Sequence, residues 1–272
     1  MTILLLSKSF QPEAQDIASV ATLHGWQIQW INATQVPPTH DGATYAILAE
    51  THLAVSLAQQ CHFALLEPTF DLVAKVPRCY TSRLIEFTTL GAARNSNRRQ
   101  FVKPADCTNK CFEAGVYEDG AHIRARRDLP NSLPVLASEV VDWEAEYRVV
   151  ILERQVATWS PYILNGRRAA SHAGQWSFPA GHRAPMLAFC QTLLDDRRIE
   201  IPPAFVLDVG LLGDGRWAVV EMNPIWCAGL LGCDLAMVVK TLERACRPIH
   251  LLTPGDRRWI VNRTRAVEDP TK

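Results

Sequence analysis

Two apolar runs near the end of the chain, FVLDVGLL and WAVVEMN, are separated only by the polar segment GDGR. An Asp-Gly pair between apolar runs is a strong signal for a β-hairpin with a two-residue turn. If Asp214 and Gly215 form the centre of that turn, Asp208 lies directly opposite Glu221. The sequence therefore predicts an antiparallel hairpin with two facing carboxylates in an otherwise apolar pair of strands.

The same register assigns the remaining residues of the hairpin to two faces. Val209 is expected opposite Val220, on the apolar face. Asn223 shares the face of the two carboxylates, because alternate residues of a strand point to the same side. Val206 and Val219 are expected on this second face too, which is not typical of a surface exposed to water.

Two carboxylates directly opposite each other on adjacent strands repel, which destabilises a hairpin by a few tenths to ~1 kcal/mol. A divalent cation removes that repulsion, and carboxylate and amide oxygens are the ligands that Mg²⁺ prefers. The alternative is a polar hairpin face in contact with solvent. Because the neighbouring side chains are apolar, we interpret Asp208, Glu221 and Asn223 as a magnesium site.

The composition argues against several classes of protein. The 272 residues are 48% hydrophobic and 21% charged, enough for one large domain or two small ones. Lys+Arg and Asp+Glu both total 28 and the basic pairs are scattered, so we expect no nucleic acid as partner. The N-terminus lacks the basic region of a signal peptide, and no stretch reaches the ~18 apolar residues of a membrane span. Eight cysteines form no CxxC pair, so we expect a reduced, cytoplasmic protein without membrane association.

The first 95 residues alternate between apolar strands and helices, which is typical of a small parallel α/β domain. The predicted elements are, in order, strand 2–6, helix 12–25, strand 27–31, strand 46–49, helix 52–60, strand 63–66 and helix 80–93.

After Asn95 the pattern changes to strands without regular helices between them, which predicts an α+β domain of mixed or antiparallel sheets. The predicted elements are short strands at 101–104, 114–117 and 121–125, two long strands within 140–163 joined by a turn at Glu153-Arg154, helix 184–196, the hairpin, and helix 233–246.

Six segments in this order, FVKP, DCTNKCF, SEVV, EYRVVI, VLDVG and EMNP, resemble the motifs of the ATP-grasp superfamily. The combination is similar to the arginine-to-lysine clade of that superfamily and extends over roughly residues 80–240. The resemblance implies two subdomains that enclose a nucleotide between them. Its domains would be an N-terminal α/β domain (1–95), a small lid-like subdomain (96–140) and a metal-binding subdomain (141–250), the last two forming an ATP-grasp domain (96–250), with a C-terminal tail at 251–272.

The resemblance also implies roles for individual residues, with ATP and Mg²⁺ as cofactors. ATP would be bound by Lys103 on the α- and β-phosphates, by Lys110 in the loop over the phosphates, and by the adenine hinge formed by Glu139, Val140 and Val141. The catalytic residues would be Arg148 and Lys110. The Mg²⁺ ligands would be Asp208, Glu221 and Asn223. The loop at 105–113 departs from many relatives because it contains no glycine, which would leave more of the phosphate binding to Lys110.

Each of these residues also has a purely structural alternative. Lys103 would then be an exposed strand end and Lys110 a solvated loop lysine. Arg148, which is costly to bury unpaired, would form an ion pair with Glu146 or Glu139. At the hinge, backbone groups rather than the Glu139 side chain would contact adenine.

Three further segments are weaker candidates. The loop SHAGQWSFPAGHR, with His172, Trp176, His182 and Arg183, would line the acceptor site or be merely exposed. Arg83 would face the cleft or pair with Glu86 one helical turn away. The segment from Cys227 to Asp234 would bring backbone, or a helix N-terminus, close to a substrate carboxylate, or be only a tight loop.

By this resemblance we expect an ADP-forming carboxylate–amine ligase that makes a C–N bond through an acyl phosphate. Its partners would be a small molecule or peptide with a carboxylate, and an amine acceptor. The shared nucleotide and metal residues leave two alternatives open, an ATP-grasp kinase and a non-catalytic nucleotide-binding module. A homodimer would be in keeping with the resemblance.

Overall fold

The computed structural model describes residues 1–8, 13–32, 42–106, 111–123, 128–171 and 175–261. The first part of the chain forms β1 (Thr2–Ser7), α1 (Ala14–Leu23), β2 (Gln27–Ile31), β3 (Thr44–Leu48), α2 (Thr51–Gln60) and β4 (Phe63–Leu65). Strands β2, β1 and β3 make a parallel three-stranded sheet, as the alternation of strands and helices predicts. The strand β4 lies outside this sheet and pairs with the C-terminal part of the chain.

A second, antiparallel sheet follows two short helices, α3 (Leu72–Lys75) and α4 (Arg78–Thr81). Its elements are β5 (Ile85–Thr89), α5 (Leu90–Arg94), β6 (Gln100–Pro104), β7 (Gly115–Tyr117) and β8 (Pro134–Ser138). The strands lie in the order β5-β8-β6-β7.

The third sheet has five antiparallel strands in the order β11-β10-β9-β12-β13. It is built from β9 (Trp143–Leu152), β10 (Gln155–Leu164), β11 (Arg167–Arg168), α6 (Arg183–Asp195), β12 (Ala204–Leu212) and β13 (Trp217–Asn223). The turn between β9 and β10 uses left-handed conformations at Glu153 (φ 48°) and Arg154 (φ 61°), as a tight hairpin turn requires. The helix α6 packs on one face of this sheet, and the opposite face is directed towards the second sheet.

The C-terminal part returns to β4. After α7 (Leu235–Ala245), the short strand β14 (Cys246–Pro248) pairs with β4 in antiparallel fashion. Residues 259–261 then bond to residues 65–67, through Glu67 N to Trp259 O (2.8 Å) and Val261 N to Leu65 O (2.9 Å). None of the helices in the described part of the chain is long and apolar enough to cross a membrane.

Two predicted elements are wrong. The helix expected at 80–93 is replaced by α4, the strand β5 and the single turn α5, because the β-branched and aromatic side chains of IEFTT favour pairing with β8. The strand expected at 121–125 begins instead within a 3₁₀ turn, Gly120–His122, which Ile123 follows. Asp119 caps this turn by accepting hydrogen bonds from Ala121 N (2.9 Å) and His122 N (3.3 Å). The remaining two residues of that strand lie outside the described residues.

The hairpin of β12 and β13 forms, but its turn differs from the predicted one. Gly215 (φ 83°) closes a three-residue loop in which its N–H donates to Leu212 O (2.8 Å). A bulge in β13 absorbs the extra loop residue, so that Val209 pairs with Val219 rather than Val220. Val219 therefore lies in the core beneath α6 and not on the face of the carboxylates.

Candidate active site

Four side chains form a row across the face of the five-stranded sheet that is directed away from α6. Asp208 pairs with Arg148 on one side and with Glu221 on the other, as the hairpin register predicts. Arg148 in turn pairs with Ser160 on β10. Three adjacent strands thus bring a cation and two carboxylates side by side on one face of the sheet.

Arg148 is committed to Asp208 by a two-pronged contact. Its Nε donates to Asp208 Oδ1 (3.0 Å) and its Nη2 to Oδ2 (2.6 Å), while Nη1 donates to Gly229 O (2.6 Å). The ion pair with Glu146 or Glu139, expected as the structural alternative, is wrong, because Asp208 occupies the guanidinium. Its role towards phosphate or an oxyanion stays a prediction.

Lys103 and Asn223 contact the second carboxylate. Lys103 Nζ forms a short ion pair with Glu221 Oε2, and only 16% of the lysine side chain is exposed. The alternative of an exposed strand end is therefore wrong for Lys103. Asn223 Nδ2 donates to Glu221 Oε1 (2.8 Å) and lies 3.3 Å from Asp208 Oδ2, so the amide joins the two carboxylates.

The two carboxylates have opposite pKa shifts. Asp208 is fully buried, and this desolvation raises its pKa to about 6 although Arg148 opposes the change. Burial also acts to raise the pKa of Glu221, but the charge and hydrogen bond of Lys103 outweigh it and lower the pKa to about 2. Neighbouring charges, rather than burial alone, thus decide the protonation of Glu221.

The polar atoms at this point fit a magnesium ion. Asp208 and Glu221 converge on Asn223, and their two carboxylates suit a hard cation; the amide oxygen of Asn223 would join them once its Nδ2, which now faces both carboxylates, turns away. Among the described residues no group of three His, Cys, Asp or Glu side chains is placed to hold a metal. A magnesium ion here would therefore complete its shell with nucleotide phosphates and water, which is the usual arrangement at such sites.

A cavity of about 420 Å³ lies between the second and third sheets and ends at the Lys103–Glu221 pair. The predicted hinge residues Glu139, Val140 and Val141 all line it. The carboxylate of Glu139 is bonded elsewhere, since it accepts from Arg78 Nη2 (2.9 Å) and Leu84 N (2.7 Å). A contact of the hinge with adenine would therefore use backbone groups rather than this side chain.

Arg83 reaches the same cavity, although sequence alone left its role open. Its guanidinium donates to the backbone of Thr81, Val219 and Val220 and lies 5.1 Å from the centroid of the Trp143 ring. The expected alternative, a pair with Glu86, is wrong because no helix spans these residues; Glu86 pairs with Arg98 instead. Burial lowers the pKa of Arg83 to about 10, while nearby carboxylates oppose that change.

Sequence reasoning missed two further cavity-lining residues, Glu146 and Tyr162. The Tyr162 hydroxyl donates to Glu146 Oε2 (2.6 Å), and burial raises the pKa of both side chains. The alternation along EYRVVI was a usable signal, because Glu146 lies two positions before Arg148 and so shares its face.

None of the remaining candidates that the structure describes lines this cavity. Lys110 and His172 lie outside the described residues. Trp176 packs directly on Gly232, where an added Cβ would lie 2.5 Å from the indole nitrogen. The other candidates are placed as follows: His182 bonds to the Tyr147 hydroxyl beneath α6, Arg183 is exposed, and Asp234 caps α7 with its own carboxylate. The first N–H groups of α7 thus already donate to the Asp234 carboxylate.

Comparisons with known proteins agree with this geometry. The family model of an ATP-grasp domain of the arginine-to-lysine clade, family 2, matches residues 80–241. The RimK domain protein ATP-grasp from Sphaerobacter thermophilus is 13% identical, with 89% of this chain and 99% of that chain covered and a TM-score of 0.53. D-cycloserine synthetase DcsG is 14% identical, with 89% and 98% covered and a TM-score of 0.52.

A third structure, N5-carboxyaminoimidazole synthetase from Staphylococcus aureus, is 11% identical, with 91% of this chain and 78% of that chain covered and a TM-score of 0.51. At such identities the likeness concerns the fold alone. No curated protein matches significantly. The family and fold predicted from the sequence are confirmed: the chain belongs to family 2 of the arginine-to-lysine clade of ATP-grasp domains, in a superfamily whose enzymes use ATP and Mg²⁺.

Proposed function

We propose that this protein is an ATP- and Mg²⁺-dependent ligase that joins the carboxylate of an amino acid or peptide to an amine. The observation that supports the proposal best is the group of Arg148, Asp208, Glu221, Lys103 and Asn223, of which Lys103 and Glu221 line the cavity. It combines a set of hard oxygen ligands with two cations beside a space for a nucleotide. The free thiols of the seven described cysteines are in keeping with a cytoplasmic location.

Each of these five residues has a defined part in this proposal. Asp208, Glu221 and Asn223 hold Mg²⁺, which when bound neutralises charge on the transferring phosphoryl group. Lys103 orients the phosphates from β6, and Arg148 would turn from Asp208 to the acyl phosphate or its oxyanion once that carboxylate binds the metal. Lys110, which lies outside the described residues, would add a further cation, as the resemblance implies. The protein thus contributes positioning and charge rather than a covalent intermediate of its own.

The nucleotide part of the proposal is tested by calorimetry of ATP binding with and without Mg²⁺. We expect Mg²⁺-dependent binding in the wild type and its loss in Asp208→Asn/Glu221→Gln. The matched control is Asp214→Asn/Glu86→Gln, because both of these side chains are exposed and neither lines the cavity. Equal ATP binding by both double variants would contradict the assigned site.

The ligase part is tested by trapping the acyl phosphate with hydroxylamine, which converts it to a hydroxamate. The common amino acids and a set of dipeptides are supplied one at a time with ATP and Mg²⁺. A ligase forms a hydroxamate and releases ADP and phosphate together. A kinase would release ADP without free phosphate, and a binding module would release neither.

A further inference from the structure

An arginine on the edge strand β11 lies on the same face of the five-stranded sheet as the candidate active site. Arg168 pairs with Ile163 of β10, and Ile163 pairs with Glu146 of β9, which lines the nucleotide cavity. Residues directly opposite each other on neighbouring strands lie on one face. Arg167, one position earlier, pairs with Leu164 and so belongs to the face that carries α6. The register thus places two adjacent exposed arginines on opposite faces of the sheet.

The position of Arg168 relative to Arg148 suits a substrate rather than the nucleotide. The strands β10 and β11 lie on one side of β9, whereas β12 and β13, which carry the metal ligands, lie on the other. Neighbouring strands are ~4.8 Å apart, so β11 lies about 10 Å from β9. Roughly three residues of an extended peptide span that distance. A substrate that reacts next to Arg148 could therefore reach Arg168 with a group several bonds from the reacting carbon.

The guanidinium of Arg168 lies against an indole ring and not against a carboxylate. Its central carbon is 5.6 Å from the centroid of the Trp176 ring. Within the described part of the chain no acidic side chain forms an ion pair with Arg168. A cation–π contact orients a guanidinium and leaves its N–H donors available. Arg168 is therefore an oriented cation whose donors can form a two-pronged contact with a carboxylate.

Trp176 is itself held by the segment that follows the metal strand β13. Its indole packs on Gly232 so closely that a Cβ there would lie 2.5 Å from the indole nitrogen. Three residues earlier in the same segment, Gly229 O accepts a hydrogen bond from Arg148 Nη1 (2.6 Å). One short segment thus contacts Arg148 directly and Arg168 through the indole, so that it forms a continuous wall between the two guanidinium groups.

From this arrangement we propose that Arg168, positioned by Trp176, binds a substrate carboxylate that does not react. The inference rests on the proposed function and names one chemical feature of its substrates, a free carboxylate besides the one that ATP activates. Two sources offer such a group: a second carboxylate of the acid substrate, or the α-carboxylate of an amino acid that serves as the amine acceptor. Arg168 determines specificity in either case, and Trp176 is a positioning residue.

The first arm of the test asks whether the acid is the source, by measuring kcat/KM for hydroxamate formation. Glutamate and aspartate carry a second carboxylate, whereas glutamine, isoglutamine, asparagine and isoasparagine carry only one. If the acid is the source, the wild type should prefer the dicarboxylic acids. Arg168→Gln should then lower kcat/KM for these acids alone, by about 10- to 100-fold, because a hydrogen bond between two charged groups is lost.

The second arm asks whether the acceptor is the source, with the acid kept constant and a competing amine added. Each common amino acid is compared with its α-amide, which has the same side chain and an amino group but no carboxylate. An acceptor lowers the hydroxamate yield because it takes the acyl group in place of hydroxylamine. If the acceptor is the source, the wild type should need less of the free amino acid than of its amide to halve the yield. Arg168→Gln should remove this difference.

Further variants separate a specific contact from a general effect of charge. Arg167→Gln removes the adjacent exposed arginine on the opposite face and should behave as the wild type. Arg168→Lys keeps the charge without the planar fork and should retain part of the preference. Trp176→Phe keeps an aromatic ring and should retain more of the preference than Trp176→Leu. Mg²⁺-dependent ATP binding should be the same in all variants, because neither Arg168 nor Trp176 lines the nucleotide cavity.

The outcomes separate this inference from the function beneath it. If the wild type forms no hydroxamate with any acid, the proposed function is overturned and the inference with it. If hydroxamate forms but the wild type shows no preference for the additional carboxylate in either arm, or Arg168→Gln keeps that preference, only the carboxylate site is overturned. An equal loss in Arg168→Gln and Arg167→Gln would also overturn it. Loss of ATP binding in Arg168→Gln would assign Arg168 a structural role instead.

Discussion

Replacing Arg148 by methionine should destabilise the protein strongly, because it leaves the carboxylate of Asp208 without its cation. Asp208 is 0% exposed and Arg148 only 8% exposed, so water cannot take the place of the guanidinium. Removing one partner of a buried ion pair costs about 3 to 5 kcal/mol. We expect a decrease of that size in the free energy of unfolding of Arg148→Met.

The chain contains a matched control for this prediction. Arg216 contacts Asp214 at the same distance, 2.6 Å, but the two side chains are 61% and 52% exposed. Because exposed ion pairs contribute little to stability, Arg216→Met should leave the free energy of unfolding nearly unchanged. The two pairs have the same residue types and contact distance and differ chiefly in burial.

A double variant separates the ion pair from the packing of the side chains. In Arg148→Met/Asp208→Leu both charges are removed, and apolar replacement of a buried pair is often neutral. The double variant should therefore be more stable than Arg148→Met alone, a non-additivity that a double-mutant cycle measures. The assay is equilibrium unfolding in urea, without nucleotide or Mg²⁺. A destabilisation by Arg148→Met as small as that of the Arg216→Met control would refute the reasoning.

Three other variants or conditions follow from the same geometry. Gly210→Ala would bring a Cβ within 2.3 Å of the Trp143 ring, so displacement of the indole from Arg83 should cost about 1 to 3 kcal/mol, measurable in urea, and weaken ATP binding. The pKa of Glu221 is lowered from 4.5 to about 2, so its pairing with Lys103 stabilises the fold above pH 4.5, and this stabilisation is lost as the pH falls towards 2. In Lys103→Met the free energy of unfolding should therefore depend less on pH in this range. Calorimetry should also show that Lys103→Met strengthens binding of Mg²⁺ alone and weakens binding of ATP with Mg²⁺; the same change in both would contradict competition between Lys103 and the metal.

Local sequence patterns were sufficient to predict those parts of the fold that residues close in sequence decide. The parallel β1–β3 sheet and the hairpin of β12 and β13 follow from apolar periodicity and turn residues. The position of Asp208 opposite Glu221 was also predictable, although the loop is longer than expected. Asp208 still lies opposite Glu221 because the bulge at Val220 compensates for the extra residue of the loop. No local rule would have predicted this bulge.

Contacts between distant segments were not predictable in the same way. The strand β5 was expected to be helical, and its partner β8 lies far along the chain, beyond both β6 and β7. The placement of the segment after β4 gave no signal at all, because it depends on the indole of Trp226 and on the return of residues 259–261 to β4. Pairing across such separations depends on the complete tertiary structure, which outweighs the weak preference of any short segment.

The sequence suggested a metal because two carboxylates face each other in the hairpin, but the structure places two cations beside them. Asp208 and Glu221 carry two negative charges, and Arg148 and Lys103 already neutralise them. Repulsion between the carboxylates therefore does not by itself require a cation. A magnesium ion at this point has to share both carboxylates with Arg148 and Lys103. It therefore binds more weakly than it would to an unpaired pair of carboxylates. Phosphate groups reverse that disadvantage, because they provide Lys103 and Arg148 with new anionic partners while the carboxylates turn to the metal. Metal and nucleotide should consequently bind cooperatively, each one strengthening the contacts that the other makes.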